Sequence, residues 1–176
     1  MRGRLNVRDR TLLLAEAGPH YPAPSSRSEI LAAWEHAVSV LPDRPEAWYG
    51  LGDMFFHFGR ELAIPNSWER AAEAFRRCLA LDSTLAGPLE HLVEMAQIDG
   101  DTATAGRFAT LVIAADTASE IADYMRWHLA LARGDSAALL QMRDRYRKMT
   151  SQSLIRIQLF AQEMRMHIDL HGKWIQ

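Results

Sequence analysis

The residue types able to do chemistry fall into three small groups in this chain. His167 and His171 are four apart, so on a helix they share a face, as paired metal ligands do. The helix motif of zinc proteases also needs Glu directly after the first His, and Ile168 stands there instead. Glu90, His91 and Glu94 lie within one helical turn of each other, as do Asp53 and His57. Carboxylates and imidazoles so spaced can hold a cation, but hydrogen bonds along a helix surface account for them more simply. Arg143, Arg145, Arg147 and Lys148, with Arg156 nearby, form the basic cluster. Such charges can meet phosphates, and Tyr146 between them could stack on a base. Asp144 interrupts the run, however, and basic residues near a helix C-terminus also oppose the helix dipole. The reading is no metal and no cofactor, with nucleic-acid binding through Arg143–Arg156 kept as an alternative.

Catalytic machinery has no residues to work with. There is no Gly-rich nucleotide loop, no His-Arg-Asp catalytic loop, no Asp-Phe-Gly and no Gly-x-Ser-x-Gly elbow. Gly50-Leu51-Gly52 lacks the third glycine of a dinucleotide loop and falls inside a helical pattern. One cysteine, Cys78, rules out a Cys-rich zinc site and an internal disulfide. The expectation is a protein that is not an enzyme.

The elements that would position these groups all read as helices. Ser26 and Glu29 form a capping box ahead of a helix that ends at Pro42-Asp43-Arg44-Pro45. Further helices are expected over about 45–58, 67–81, 86–99, 101–115, 119–133, 135–149 and 151–170, with a weaker one over 7–17. No stretch alternates with period two, so no strand is expected.

Those helices repeat. Trp48, Leu51, Gly52 and Phe55 fit the first-helix pattern of a tetratricopeptide repeat, W-x2-L-G-x2-Y, and Ala71 with Phe75 fits the second, A-x3-F. Gly100 and Gly134 are 34 apart, while Gly18 and Gly59 are 41 apart. The additional length falls in matching turns, 19–25 and 60–66, which should project from one edge. Repeats of about 4–44, 45–85, 86–119 and 120–150 follow, then a capping helix, 151–170. The fold class is therefore all-α: a right-handed superhelix of helical hairpins, one domain over 1–176.

Composition fits that architecture. The 176 residues are 48% apolar and 24% charged, ordinary for a globular domain. A net charge of −2 argues against a dominant role on nucleic acid or anionic membranes. The start, Met1-Arg2-Gly3-Arg4 followed by Arg8-Asp9-Arg10, has no signal-peptide pattern, and no apolar run could span a bilayer. With one cysteine, the expected compartment is the cytoplasm.

Residues 18–118 resemble the tetratricopeptide regions in the C-terminal parts of some bacterial signalling proteins, notably serine/threonine protein kinases. The likeness is carried by Glu46-Ala47-Trp48-Tyr49-Gly50-Leu51-Gly52-Asp53, by Phe55-Phe56-His57-Phe58-Gly59, and by Ala80-Leu81-Asp82-Ser83-Thr84 leading to Pro88-Leu89-Glu90-His91-Leu92. It implies a protein-interaction scaffold, or a regulatory segment of such a kinase. In such superhelices the first helix of each pair lines a concave groove. Here that places Tyr49, Asp53, Phe56 and His57, then Glu90, Glu94 and Gln97, then Tyr124 and His128, against a protein or peptide partner. Grooves that clamp chaperone carboxylates carry Lys and Asn at these places. Asp53, Glu90 and Glu94 would repel a carboxylate and suit a basic or apolar segment. The broad apolar face of the last helix, around Phe160, is read as a cap, with a homodimer contact as the rival.

Overall fold

The computed structural model describes residues 5–172, with side chains described as far as Gln162. Every regular element among these residues is helical. The chain divides into two compact units, Met1–Pro88 and Leu89–Gln176. The division falls close to the expected start of the third repeat.

The first unit holds α1 (Val7–Ala17), α2 (Arg27–Val40), α3 (Pro45–Phe58) and α4 (Ser67–Leu81). Neighbours in sequence pack on each other, and α1 also reaches α3. The capping box at α2 is formed in both directions: Glu29 N donates to Ser26 Oγ, and Ser26 N donates to Glu29 Oε2. Bonds to the Glu29 carboxyl from the Ser26 amide and the Ser26 hydroxyl, with a third from His20, hold its pKa down to about 2. Pro45 takes the first position of α3, where no amide hydrogen is needed.

Two glycines of α3 mark where helices come closest. A Cβ on Gly50 would run into the indole of Trp34 on α2. One on Gly52 would stand 2.6 Å from the ring of Phe75 on α4. Trp34 and Phe75 are both buried, and Phe75 has no exposed surface at all. Trp48 holds a position that the repeat pattern gives to the packing between helices, yet it is not fully enclosed. It is half-buried, and its Nε1 donates to the Pro42 carbonyl at 2.9 Å. An indole has one polar handle, and here it latches the α2–α3 turn.

One ion pair links the start of α2 to the second of the matching turns. Arg27, at the start of α2 just after the first turn, forms an ion pair with Glu61 in the second, and its guanidinium lies 4.2 Å from the centre of the Phe58 ring. The second turn is strained: Ala63 and Asn66 both have φ of 52°. Asn tolerates the left-handed region, whereas Ala does so at a cost. Ala63→Gly should therefore raise stability by about 0.5–1 kcal/mol in urea denaturation. An unchanged or lower midpoint would show that this backbone geometry is not held in solution.

The second unit contains most of α5 (Ala86–Ile98), then α6 (Thr102–Ala115), α7 (Glu120–Arg133), α8 (Ser136–Tyr146) and α9 (Ser151–Gly172). Leu89, Leu92, Val93 and Ala96 form the buried face of α5, as their spacing requires. Asp101, Ser119 and Asp135 cap α6, α7 and α8 by accepting from the amides of Thr104, Ala122 and Ala138. Helix α7 is central to this unit and packs against α6, α8 and α9. Helix α8 stops at Tyr146, short of the expected 149. Lys148 N and Met149 N bond back to Arg145 and Tyr146 in a tightened turn, and Thr150 Oγ1 then caps α9 through Ser153 N.

Candidate interaction surfaces

On α3, Tyr49, Asp53 and His57 follow each other at four-residue steps along one face. His57 is exposed and Asp53 half-buried, and His57 Nε2 lies 3.4 Å from Asp53 Oδ1. Tyr49 is half-buried, its ring 6.2 Å from that of Phe75 and its hydroxyl against Gly87. Phe56 does not face a groove. It is 8% exposed, stacks on Trp68 at 5.1 Å and lies 6.3 Å from Phe75. The ring of Trp68 from the first turn of α4 covers it. A large aromatic in a helix's first turn needs a partner, and that was the available signal.

In the second unit the expected surface residues separate into two sets. Glu90, Gln97 and His128 are half-buried and reach solvent, whereas Glu94 at 4% exposure and Tyr124 at 7% are inside. Tyr124 is covered by His128, ring centres 4.3 Å apart, and by Phe160 of α9, edge-on at 5.0 Å. Burial, with the charge of Glu94 added, pushes the Tyr124 hydroxyl up to about 12. Burial also lowers the pKa of His128. Desolvation raises Glu90, against a smaller opposing effect of His91. Tyr124, which the groove reading assigns to a partner, thus joins α7 to Phe160 of α9.

Four of the five cations of the basic cluster lie against carboxylates of the chain itself. Arg143 and Arg147 lie 3.2 and 3.7 Å from Asp144, and Arg156 lies 3.6 Å from Glu120. Arg145 reaches inward to Asp123, 2.7 Å from Nε to Oδ2. Asp123 is 1% exposed and is also held by Arg126 Nη1 at 2.6 Å. The Tyr146 hydroxyl donates to the Asp123 carbonyl, and its ring stacks on Trp127 at 5.6 Å. Tyr146 is thus committed to the α7–α8 contact.

Between α7 and α9 lies a recess of about 410 Å³, lined by Glu120, Ile121, Arg156, Ile157, Leu159 and Phe160. Ile155 and Leu159 stand beside it on α9, each more than half exposed. His167 and His171, the spaced pair of imidazoles, lie outside the described side chains. No helix among the described residues is long and apolar enough to cross a membrane.

No family model matches the chain, and no curated protein matches it either. The class that the fold defines is an all-α helical protein of the repeat kind, with neighbouring helices in contact.

Proposed function

We propose that the chain is a non-catalytic protein-binding module of the tetratricopeptide type, holding a protein or peptide segment on the face of its first helices. The observation that carries this reading is the α3–α4 hairpin. Two of its signature residues meet as such a repeat requires, with Phe75 of the second helix seated on Gly52 of the first. A hairpin locked in that way presents one face of its first helix at fixed spacing. On α3 the presented residues are Asp53, His57 and the edge of Tyr49. Asp53 supplies negative charge and Tyr49 an aromatic surface, which together suit a basic segment.

A photo-crosslinking residue in place of His57 should capture a partner in cells. Binding of that partner to Asp53→Lys, by calorimetry, should be weakened about tenfold or more, and more so at low salt. Arg147→Glu on the α8 side should leave it unchanged. Equal affinity of Asp53→Lys and the unaltered chain would remove the α3 face from consideration. A loss confined to Arg147→Glu would favour the basic side.

A further inference from the structure

We propose that the recess between α3 and α4 is a binding site for an arginine or lysine side chain of a protein partner. Trp48, Leu51 and Phe55 recur at steps of three and four, so they form the opposite stripe of α3 to Asp53 and His57. The site is therefore separate from the α3 face described above and does not depend on it. The recess measures about 460 Å³. Buried Leu51, Phe55 and Ala74 form its floor with the half-buried indole of Trp48, and Glu69, Arg70 and Glu73 stand at its edge. An apolar floor alone fits many occupants. The groups around it select a cation.

The recess already holds one guanidinium, the chain's own. Arg70 Cζ lies 4.0 Å from the centre of the Phe55 ring, and Arg70 Nη2 lies 3.2 Å from Glu35 Oε1 on α2. A ring beneath and a carboxylate beside replace the water that such a cation gives up. Trp48, with Glu69 and Glu73 on the same recess, offers that pair of groups a second time. The charge count agrees. Arg70 matches Glu35 and Arg77 matches Glu73 at 3.0 Å, whereas Glu69 has no ion pair with any described residue. Trp48 Nε1 already donates to the Pro42 carbonyl at 2.9 Å, so the indole presents its ring and not its donor. An acidic segment would meet Glu69 and Glu73, with Arg70 already engaged, and be repelled. An apolar side chain would strip water from Glu69 and return nothing for it. A basic side chain satisfies both ring and carboxylate.

The test titrates the full chain with the peptide acetyl-Gly-Arg-Gly-amide and follows the Trp48 indole N–H by NMR, that resonance being the one lost in Trp48→Phe. The signal should shift and saturate with a Kd of about 1 mM. The same peptide with citrulline, which keeps the shape without the charge, should bind about tenfold more weakly, and so should the peptide with leucine. Glu69→Gln, at an exposed position, should weaken the arginine peptide about threefold with helical content unchanged. Arg70→Gln uncovers the Phe55 ring and releases Glu35, so it should strengthen binding about threefold. A leucine peptide that binds as well as the arginine one would make the recess an apolar site and overturn the proposal. So would a Trp48 signal that does not move, or unchanged binding by both Glu69→Gln and Arg70→Gln. A shift of the same signal with concentration of the chain alone would assign the recess to a second copy, and overturns it too.

Discussion

Replacing Phe75 with alanine should lower the stability of the chain by about 3–5 kcal/mol, the largest loss expected from a single apolar change here. Phe75 is fully buried on α4 and meets three residues of α3 at once: Gly52, the ring of Tyr49 and the ring of Phe56. The cavity left behind cannot collapse, because Gly52 has no side chain to move into it. Urea denaturation followed by circular dichroism measures the loss. A double-mutant cycle isolates its cause. Gly52→Ala alone places a methyl group against the ring and should cost about 1–3 kcal/mol, less the helix-propensity gain of about 1 kcal/mol. In the double variant the new methyl enters the space vacated by the ring, so the combined loss should fall below the sum of the two. Strict additivity, or a loss under about 1 kcal/mol from Phe75→Ala, would mean that α3 and α4 do not meet at this pair.

The helices themselves were legible because their ends are written locally. Ser26 with Glu29, Pro45, Asp101, Ser119 and Asp135 each act within one turn of where they stand, and the structure starts helices beside each of them. The close approach at Gly52 was legible for a related reason, since a glycine followed by an A-x3-F pattern leaves few other places for the ring. The surface was less legible. Reading every non-core position of a first helix as facing a groove assumes that solvent lies beyond it. Trp68 covers Phe56, and Phe160 covers Tyr124 from much further along the chain. Such covering depends on tertiary placement, which helical period does not encode. Glu94 therefore belongs to the interior, and a lysine there would strike at folding before it touched any partner. Trp48 errs in the other direction, since its indole prefers the Pro42 carbonyl to the core.

Asp123 was the group least visible in the sequence, and its removal carries the second large effect. An acid in the first turn of a helix reads as a surface charge placed to suit the dipole. In the fold α8 closes over it, and both of its oxygens are taken by guanidinium groups, Arg126 on one side and Arg145 on the other. Arg126 bonds the Thr117 carbonyl as well, so the acid ties the α6–α7 turn, α7 and α8 together. Asp123→Ala leaves two cations facing each other with no counter-charge, and should cost about 3 kcal/mol, at the lower end for a broken buried pair. The lower end applies because Arg145 is half exposed and can regain water once released. Arg145→Ala should cost less, about 1–2 kcal/mol, because Asp123 keeps its bond to Arg126. Urea denaturation measures the loss. High salt should not reproduce the effect, as a carboxylate so enclosed is poorly reached by counter-ions. The tryptophan signal supplies a local readout: without Arg145 held to Asp123, the stack of Tyr146 on Trp127 loosens and the emission of Trp127 shifts toward that of a wetter indole. If Asp123→Ala unfolds at the same urea concentration as the unaltered chain, this acid is not enclosed, and α8 is held to α7 by apolar contacts alone.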